Sequence, residues 1–317
     1  MNTTASPSAN AAPPAAPALP SGIIPSMNTP FLENGALDVD GIRRSVDAVV
    51  AAGVSGMLIL AVAGETRSLS MTEKRLVARA FVDHVAARVP VIVGCSSEHQ
   101  SERLTLATLA RELGADAVLC QVPAGSNGQG LVEQMRELVQ AGPGRLMLQD
   151  LDFSGPGLAL DDIVLLHKQL PGFSALKIEV QLPGPKYSAV LQATDGQLHV
   201  SGGWAAAQMM EALHRGVHAF IPTAMDPIYV EIHRRFATGD AQGARRLHER
   251  LAPILAFSNQ HIDVSIRFFK RLRQREGIFK TDICRAPVRA LDAHQQRERD
   301  VQVERVLRLQ SELANQR

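Results

Sequence analysis

The chain has 317 residues, 45% of them apolar and 4% aromatic, with 33 basic and 32 acidic side chains for a net charge of +1. That is enough chain for one large domain or two modest ones around a buried core. The charge balance and the scarcity of aromatic rings exclude a nucleic-acid partner gripped by a basic patch or a stacking surface, and no apolar run reaches the ~18–20 residues of a membrane span.

Cys95, Cys120 and Cys284 are far apart and odd in number. They match neither a zinc spacing nor a disulfide framework, so a cytoplasmic setting is expected. The first twenty residues are rich in Ala, Pro and Ser and carry no charged side chain. Prolines interrupt any continuous apolar core of a signal peptide, so residues 1–20 read as a disordered tail.

Beyond the tail, strands and helices alternate. GIIPSMN (22–28) reads as a strand and 38–52 as an amphipathic helix with Ile42, Val46, Val49 and Val50 on one side. GVSGMLILAV follows as a buried strand. Ser70, with Glu73 three residues on, forms a capping box opening a helix over 71–87. Residues 89–95 form the next strand, and 101–121 repeat the order helix, glycine, strand. Later units are a strand at GRLMLQD, a helix over 160–169, a strand at SALKIEV, a helix over 186–193, a strand at LHVSGG, a helix over 205–214 and a strand at VHAFIP.

Gly53, Gly114 and Gly216 stand at three similar helix-to-strand junctions and suit the left-handed helix stop. Eight strands, each with a helix after it, imply an α/β fold closed into a (β/α)₈ TIM barrel. The rival is an open doubly wound sheet, but no G-x-G-x-x-G follows the first strand. After residue 226 the strands stop, and 228–238, 240–257, 259–275 and 296–314 read as helices. The expected organisation is a tail (1–20), a barrel (21–226) and a C-terminal helical extension (227–317).

Lys177 and Glu179 in SALKIEV are two residues apart, so a strand points both the same way. Barrel active sites lie at the C-terminal ends of strands. An inward Lys177 there enters a partly desolvated pocket, where burial lowers an amine pKa and permits attack on a carbonyl. The bland alternative is a strand-end lysine whose head reaches solvent.

The segments GIIPSMNTPF, AVAGETRSLSMTEKRLV, VPVIVGCSS, RELGADAVLCQVP, LMLQD and ALKIE occur in this order. Together they resemble the dihydrodipicolinate synthase / N-acetylneuraminate lyase family of Schiff-base aldolases and dehydratases, over about residues 22–290. The resemblance implies a barrel with C-terminal helices, a homo-oligomer (dimer or tetramer), a 2-oxo acid substrate and an imine on Lys177, with no separate cofactor and no metal. The family loop after the second strand carries a hydroxyl pair that helps bind the substrate carboxylate. Here it reads Ala61-Val62-Ala63-Gly64-Glu65, leaving the backbone N–H groups of Ala63 and Gly64 as the expected carboxylate donors, with Val62 beside them. The family's proton-shuttling tyrosine falls on Gln149, whose amide has no acid-base chemistry near neutral pH. The arginine of dihydrodipicolinate synthases falls near Ser154. These departures argue against both name-giving activities. LQD…SG with LKIEV, and REGIFKTDICRAPVRAL near the C-terminus, resemble the L-2-keto-3-deoxyarabonate dehydratase branch, in which a 2-keto-3-deoxy sugar acid condenses with Lys177.

Glu179 is the candidate general base; its alternative role is to pair the lysine. Glu65 is a second candidate, its alternative being a loop carboxylate holding a backbone N–H. Gln149 is expected inward and Asp150 outward. Gly202 and Gly203 allow close backbone approach to a ligand, or mark a tight turn. Pro222-Thr223 ends the eighth strand. His99, His199, His214 and His218 show no metal spacing. A competing reading, motivated by the lost hydroxyls and tyrosine, is a barrel without catalysis that binds a small molecule or serves as a structural partner.

Overall fold

The computed structural model describes residues 19–316. Eight parallel strands occur in it: β1 (Gly22–Ile23), β2 (Met57–Ile59), β3 (Val91–Gly94), β4 (Ala117–Gln121), β5 (Leu146–Asp152), β6 (Phe173–Val180), β7 (His199–Gly202) and β8 (Ala219–Phe220). Each pairs with its sequence neighbour from β2 to β8, and β8 pairs with β1. The remaining seam closes where the chain continues past β1: Met27 N–H donates to Leu58 O at 2.8 Å and Leu58 N–H to Pro25 O at 2.9 Å. The sheet is therefore a barrel.

The strands are apolar on both faces because both are covered. Leu58, Ile92, Leu119, Met147 and Ala175 fill the barrel interior. Their neighbours Met57, Val93, Val118, Leu148 and Leu176 belong to the outer core beneath the helices. This alternation gives the facing of every polar residue on the same strands.

The helices between strands are α1 (Val39–Ala52), α2 (Met71–Val85), α3 (Gln100–Glu112), α4 (Gly128–Ala141), α5 (Leu160–Gln169), α6 (Pro183–Ala193) and α7 (Met209–His214). The Ser70–Glu73 capping box forms as expected. Gly53, Gly114 and Gly216 all take positive φ. Helix α4 is additional to the helices expected from sequence, although Leu131, Val132, Met135 and Leu138 carry helical spacing and are buried. The helix expected from residue 205 begins only at Met209. A 3₁₀ turn over Trp204–Ala206, with Trp204 and Ala206 at positive φ, precedes it.

After β8 come α8 (Asp226–Ala237), α9 (Ala241–Glu249), α10 (Ala252–Ser258), α11 (Ile262–Arg275) and α12 (Ala293–Ala314). The helix expected over 240–257 is thus two, with Pro253 in the first turn of the second, where a missing N–H costs least. Helix α8 packs against β1 and α1, so it completes the barrel's outer ring, and the extension proper starts after it. Two buried ion pairs tie the extension down: Arg273–Asp226 at 2.5 Å and Lys270–Glu65.

Of the expected tail, residues 1–18 lie outside the described residues. Leu19 and Pro20 depart from the expectation: Leu19 is 3% exposed and joins the barrel interior, and Pro20 O bonds His199 Nε2 at 3.2 Å. An apolar side chain at the open N-terminal end of the barrel gains by covering it.

Candidate active site

Lys177 lies on β6 in register with Gln149 of β5 on one side and Ser201 of β7 on the other. It shares its face with Ala175, an interior residue, so its side chain enters the barrel. Gln149 follows Met147 in the same way. The three polar groups form one level above an apolar floor, and all are buried: Lys177 is 5% exposed, Gln149 3% and Ser201 0%.

Glu179, two residues on, organises this level from above. Its Oε2 pairs with Lys177 Nζ at 2.9 Å and accepts a hydrogen bond from Gln149 Nε2. Its Oε1 accepts from the Trp204 backbone N–H at 2.8 Å. Burial pushes the Glu179 carboxyl upward, but the Lys177 charge and the hydrogen bonds from Lys177, Trp204 and Gln149 outweigh it and hold the group below its ordinary value. The resting site is a buried ion pair with the carboxylate ionised.

Two oxygens are left over. Ser201 Oγ and Gln149 Oε1 are buried without a protein partner. A buried unpaired acceptor or hydroxyl is costly, and here two flank the lysine. Both can receive a polar atom of a ligand added at Nζ. Ser201 escaped the sequence reading because strand register across the barrel is not written in local periodicity. Its place two residues after the strand's first residue was the available signal.

The other expected site residues fall elsewhere. Glu65 is a correction: its Oε1 pairs with Lys270 Nζ and its Oε2 accepts from Arg285 N–H at 2.9 Å. Both oxygens are thus engaged by the C-terminal extension, and the residue serves as a tether. Val62–Gly64 form a 3₁₀ turn. Gly64 N–H donates to Ala61 O at 2.9 Å, which removes it as the expected carboxylate donor. The turn is pinned by Asn28 Nδ2 on Ala63 O at 2.8 Å and Thr29 Oγ1 on Gly64 O at 2.7 Å, while Val62 is exposed.

Gly202 is a second correction. It pairs with outward Ile178, and a Cβ there would meet the Tyr187 hydroxyl at 3.0 Å and the Phe220 ring at 3.3 Å, so it faces α6 instead of the pocket. Gly203 makes the close approach: a Cβ on it would lie 2.1 Å from Glu179 Oε1. Asp150 faces outward as alternation requires, pairing with Lys186 at 2.5 Å. Thr223 is buried after β8.

Neither of the chain's two tyrosines stands in for the family's shuttle. Tyr187 lies behind β7, and burial together with the Glu179 charge pushes its phenol upward. Tyr229 lies on α8, its phenol also pushed up, by burial and Asp226. His199 and His218 stack at 5.1 Å and His214 packs on Phe236. Among the described residues no three His, Cys, Asp or Glu side chains are grouped to hold a metal, and no helix is long and apolar enough to cross a membrane. Glu179 is the ionisable side chain paired with Lys177 among the described residues.

A model of the dihydrodipicolinate synthetase family matches residues 19–306. The chain is 29% identical over 247 residues to a 4-hydroxy-tetrahydrodipicolinate synthase of Methanothrix thermoacetophila, covering 74% of this chain and 80% of that protein. A 4-hydroxy-tetrahydrodipicolinate synthase of Neisseria meningitidis is 26% identical over 236 residues, with 74% and 81% covered. Among solved structures, the 4-hydroxy-tetrahydrodipicolinate synthase of Methylacidiphilum fumariolicum SolV superposes with a TM-score of 0.82 at 20% identity, covering 93% of this chain and 98% of that one. Proteus mirabilis N-acetylneuraminate lyase gives 0.80 at 21% identity, with 90% and 98% covered. These structural likenesses show the barrel fold.

Proposed function

The chain belongs to the dihydrodipicolinate synthetase family, a family of Schiff-base aldolase-type lyases, and from that premise we propose that Lys177 forms an imine with the C2 ketone of a 2-oxo acid. The observation that carries this reading is the buried Lys177–Glu179 pair inside the barrel at 2.9 Å. An ammonium has no lone pair, so it must lose a proton before it attacks. Glu179 Oε2 is in place to take that proton. The amine then adds to C2, Glu179 returns its proton to the carbinolamine hydroxyl, which leaves as water, and the iminium draws electrons from C3.

Imine formation changes Glu179 as well. The resting carboxylate is a weak base because donors and a cation surround it. Converting the ammonium to an iminium redistributes that charge toward the substrate and leaves fewer N–H donors on the carboxylate. Glu179 then accepts a proton from C3 and passes it to the C4 hydroxyl, which leaves as water, or accepts one from the C4 hydroxyl, with the C3–C4 bond breaking. The first is dehydration and the second aldol cleavage. Ser201 Oγ and Gln149 Oε1 are the groups offered to the departing water. The relatives are named 4-hydroxy-tetrahydrodipicolinate synthases, but by the resemblance that enzyme's tyrosine falls on Gln149 and its arginine near Ser154, so a different 4-hydroxy-2-oxo acid is the substrate class we favour.

The test is borohydride trapping with pyruvate, read as the adduct mass on the Lys177 peptide. Wild type is trapped. Lys177→Arg is not, since guanidinium stays protonated while charge and length are nearly kept. Glu179→Gln is trapped slowly and turns over ~10²–10⁴-fold more slowly. A folded wild-type protein that yields no adduct with any 2-oxo acid would establish the non-catalytic reading.

A further inference from the structure

We propose that the barrel mouth selects 2-oxo acids whose chain beyond C3 ends in an apolar, ring-sized group, and rejects those that end in a row of hydroxyls. This rests on the imine chemistry above and names the substrate's distal end. The first observation is where exposed apolar side chains fall. Among the described residues, the large ones include Val62 at 39% exposure, Phe153 at 48% and Leu182 at 82%. These three follow β2, β5 and β6, so they stand on the loops at the C-terminal mouth. Leu76, Leu160 and Val301 lie on outer helices.

The second observation ties the mouth to the lysine. Phe153 follows β5 and Trp204 follows β7, the two strands flanking Lys177. Their rings meet at 4.1 Å between centroids, inclined at 52°. They therefore span the end of β6 as a roof. The Trp204 N–H holds Glu179, which fixes the roof against the reacting pair. Trp204 and Leu182 both sit at positive φ, 53° and 50°, a backbone region that side-chain-bearing residues seldom occupy and that clusters at ligand clamps.

The third observation is that polar groups on these loops turn inward on the loops themselves. Ser154, near the position of the family's arginine, gives its N–H and Oγ to Asp152 Oδ1, both at 3.0 Å. Gly157 N–H donates to Asp152 Oδ2 at 3.2 Å. Gln181 Nε2 donates to Phe153 O at 3.2 Å. A polyol laid against Phe153 and Trp204 gives up water on the side that meets the rings and finds no hydrogen-bond partner there, a loss that the phenyl group escapes. A phenyl or branched alkyl group loses nothing there and covers an exposed ring.

Trp204 is the chain's single tryptophan, so its emission reports on the roof without requiring chemistry. The full chain is titrated with 2-oxo-4-phenylbutanoate, with a 2-keto-3-deoxypentonate and with pyruvate, against free N-acetyltryptophanamide to subtract collisional quenching. The phenyl acid is expected to give a saturable change with an apparent affinity ~30-fold or more above the pentonate, within the range that apolar pockets discriminate. The change persists in Lys177→Arg, weakens about tenfold in Phe153→Ser, and is unaltered in Leu76→Ser on α2. A pentonate response equal to or stronger than that of the phenyl acid, or no response to the phenyl acid in wild type, overturns the proposal. Borohydride trapping in the same samples separates the two readings. Pentonate adducts at Lys177 that outcompete phenyl adducts sink the apolar mouth alone. A saturable phenyl response with no adduct sinks the imine and leaves the mouth standing.

Discussion

Replacing Gly203 by alanine tests the geometry on which the whole site depends. Gly203 has φ −114° and ψ −144°, a conformation open to alanine, so backbone strain plays no part. On that ground alone the change would stabilise by about 0.4–1 kcal/mol through the unfolded chain. The added Cβ, however, would lie 2.1 Å from Glu179 Oε1, 2.3 Å from Cδ and 2.4 Å from Cγ. Because the collision reaches Cγ, turning the carboxylate is not enough, and the side chain must retreat by roughly an ångström to reach an allowed contact. That retreat breaks the 2.8 Å bond from Trp204 N–H, worth about 1.5–3 kcal/mol for a charged acceptor. It also disturbs the 2.9 Å contact with Lys177; a buried pair broken outright costs about 3–5 kcal/mol. With partial retention of the pair, the expected net loss is about 2–4 kcal/mol. Urea denaturation measures it, and borohydride trapping with pyruvate on the folded protein should slow by about tenfold or more. Gly202→Ala is the matched comparison: its Cβ meets Tyr187 and Phe220 at 3.0–3.5 Å, and relaxation should hold the cost below about 1.5 kcal/mol. In a Glu179→Ala background the Gly203→Ala cost should vanish. If Gly203→Ala matches wild type in stability and trapping, or costs as much without the Glu179 side chain as with it, the argument is wrong.

Two other perturbations probe the corrected assignments. Lys270→Met strips Glu65 of its buried cation and should cost about 3–5 kcal/mol, with part regained on adding Glu65→Gln; pyruvate trapping by the folded double variant should survive, which it would not if Glu65 were the base. His199 is held by burial, and secondarily by the His218 charge, at about 4 instead of 6.5. The unfolded chain binds that proton first as pH falls, so the contribution of neutral His199 is complete above pH 6.5 and lost between there and about pH 4. At about 1.4 kcal/mol per unit this reaches about 3 kcal/mol, and His199→Asn should flatten the stability profile across that window in denaturation series from pH 7 to 4.5.

Local rules were sufficient for much of this molecule. A period of two in SALKIEV puts Lys177 and Glu179 on one face whatever surrounds them, and the same rule separates Gln149 from Asp150. Glycine after a helix and a serine–glutamate pair before one act through backbone conformation and bonds a few residues long, so Gly53, Gly114, Gly216 and the Ser70 box were legible in the chain. The resemblance to a Schiff-base family rests on that same ordered run of short segments. Helix α4 is legible too, in the helical spacing of Leu131, Val132, Met135 and Leu138 among glycines and glutamines.

What the tertiary structure decided involves partners distant along the chain. Register around the barrel, set by how eight strands close on one another, brought Ser201 beside Lys177 and turned Gly202 to the outside. Glu65 looks like a loop acid two residues after a lost hydroxyl pair, yet its partner is 205 residues away on α11. Leu19 resembles the proline-alanine stretch before it and is buried only because the barrel's open end presents apolar surface. Phe153 and Trp204 are 51 residues apart in the chain. They become one surface because β5 and β7 are both neighbours of β6. Each contact depends on the path of chain between its partners, and that path is set by packing the whole barrel at once.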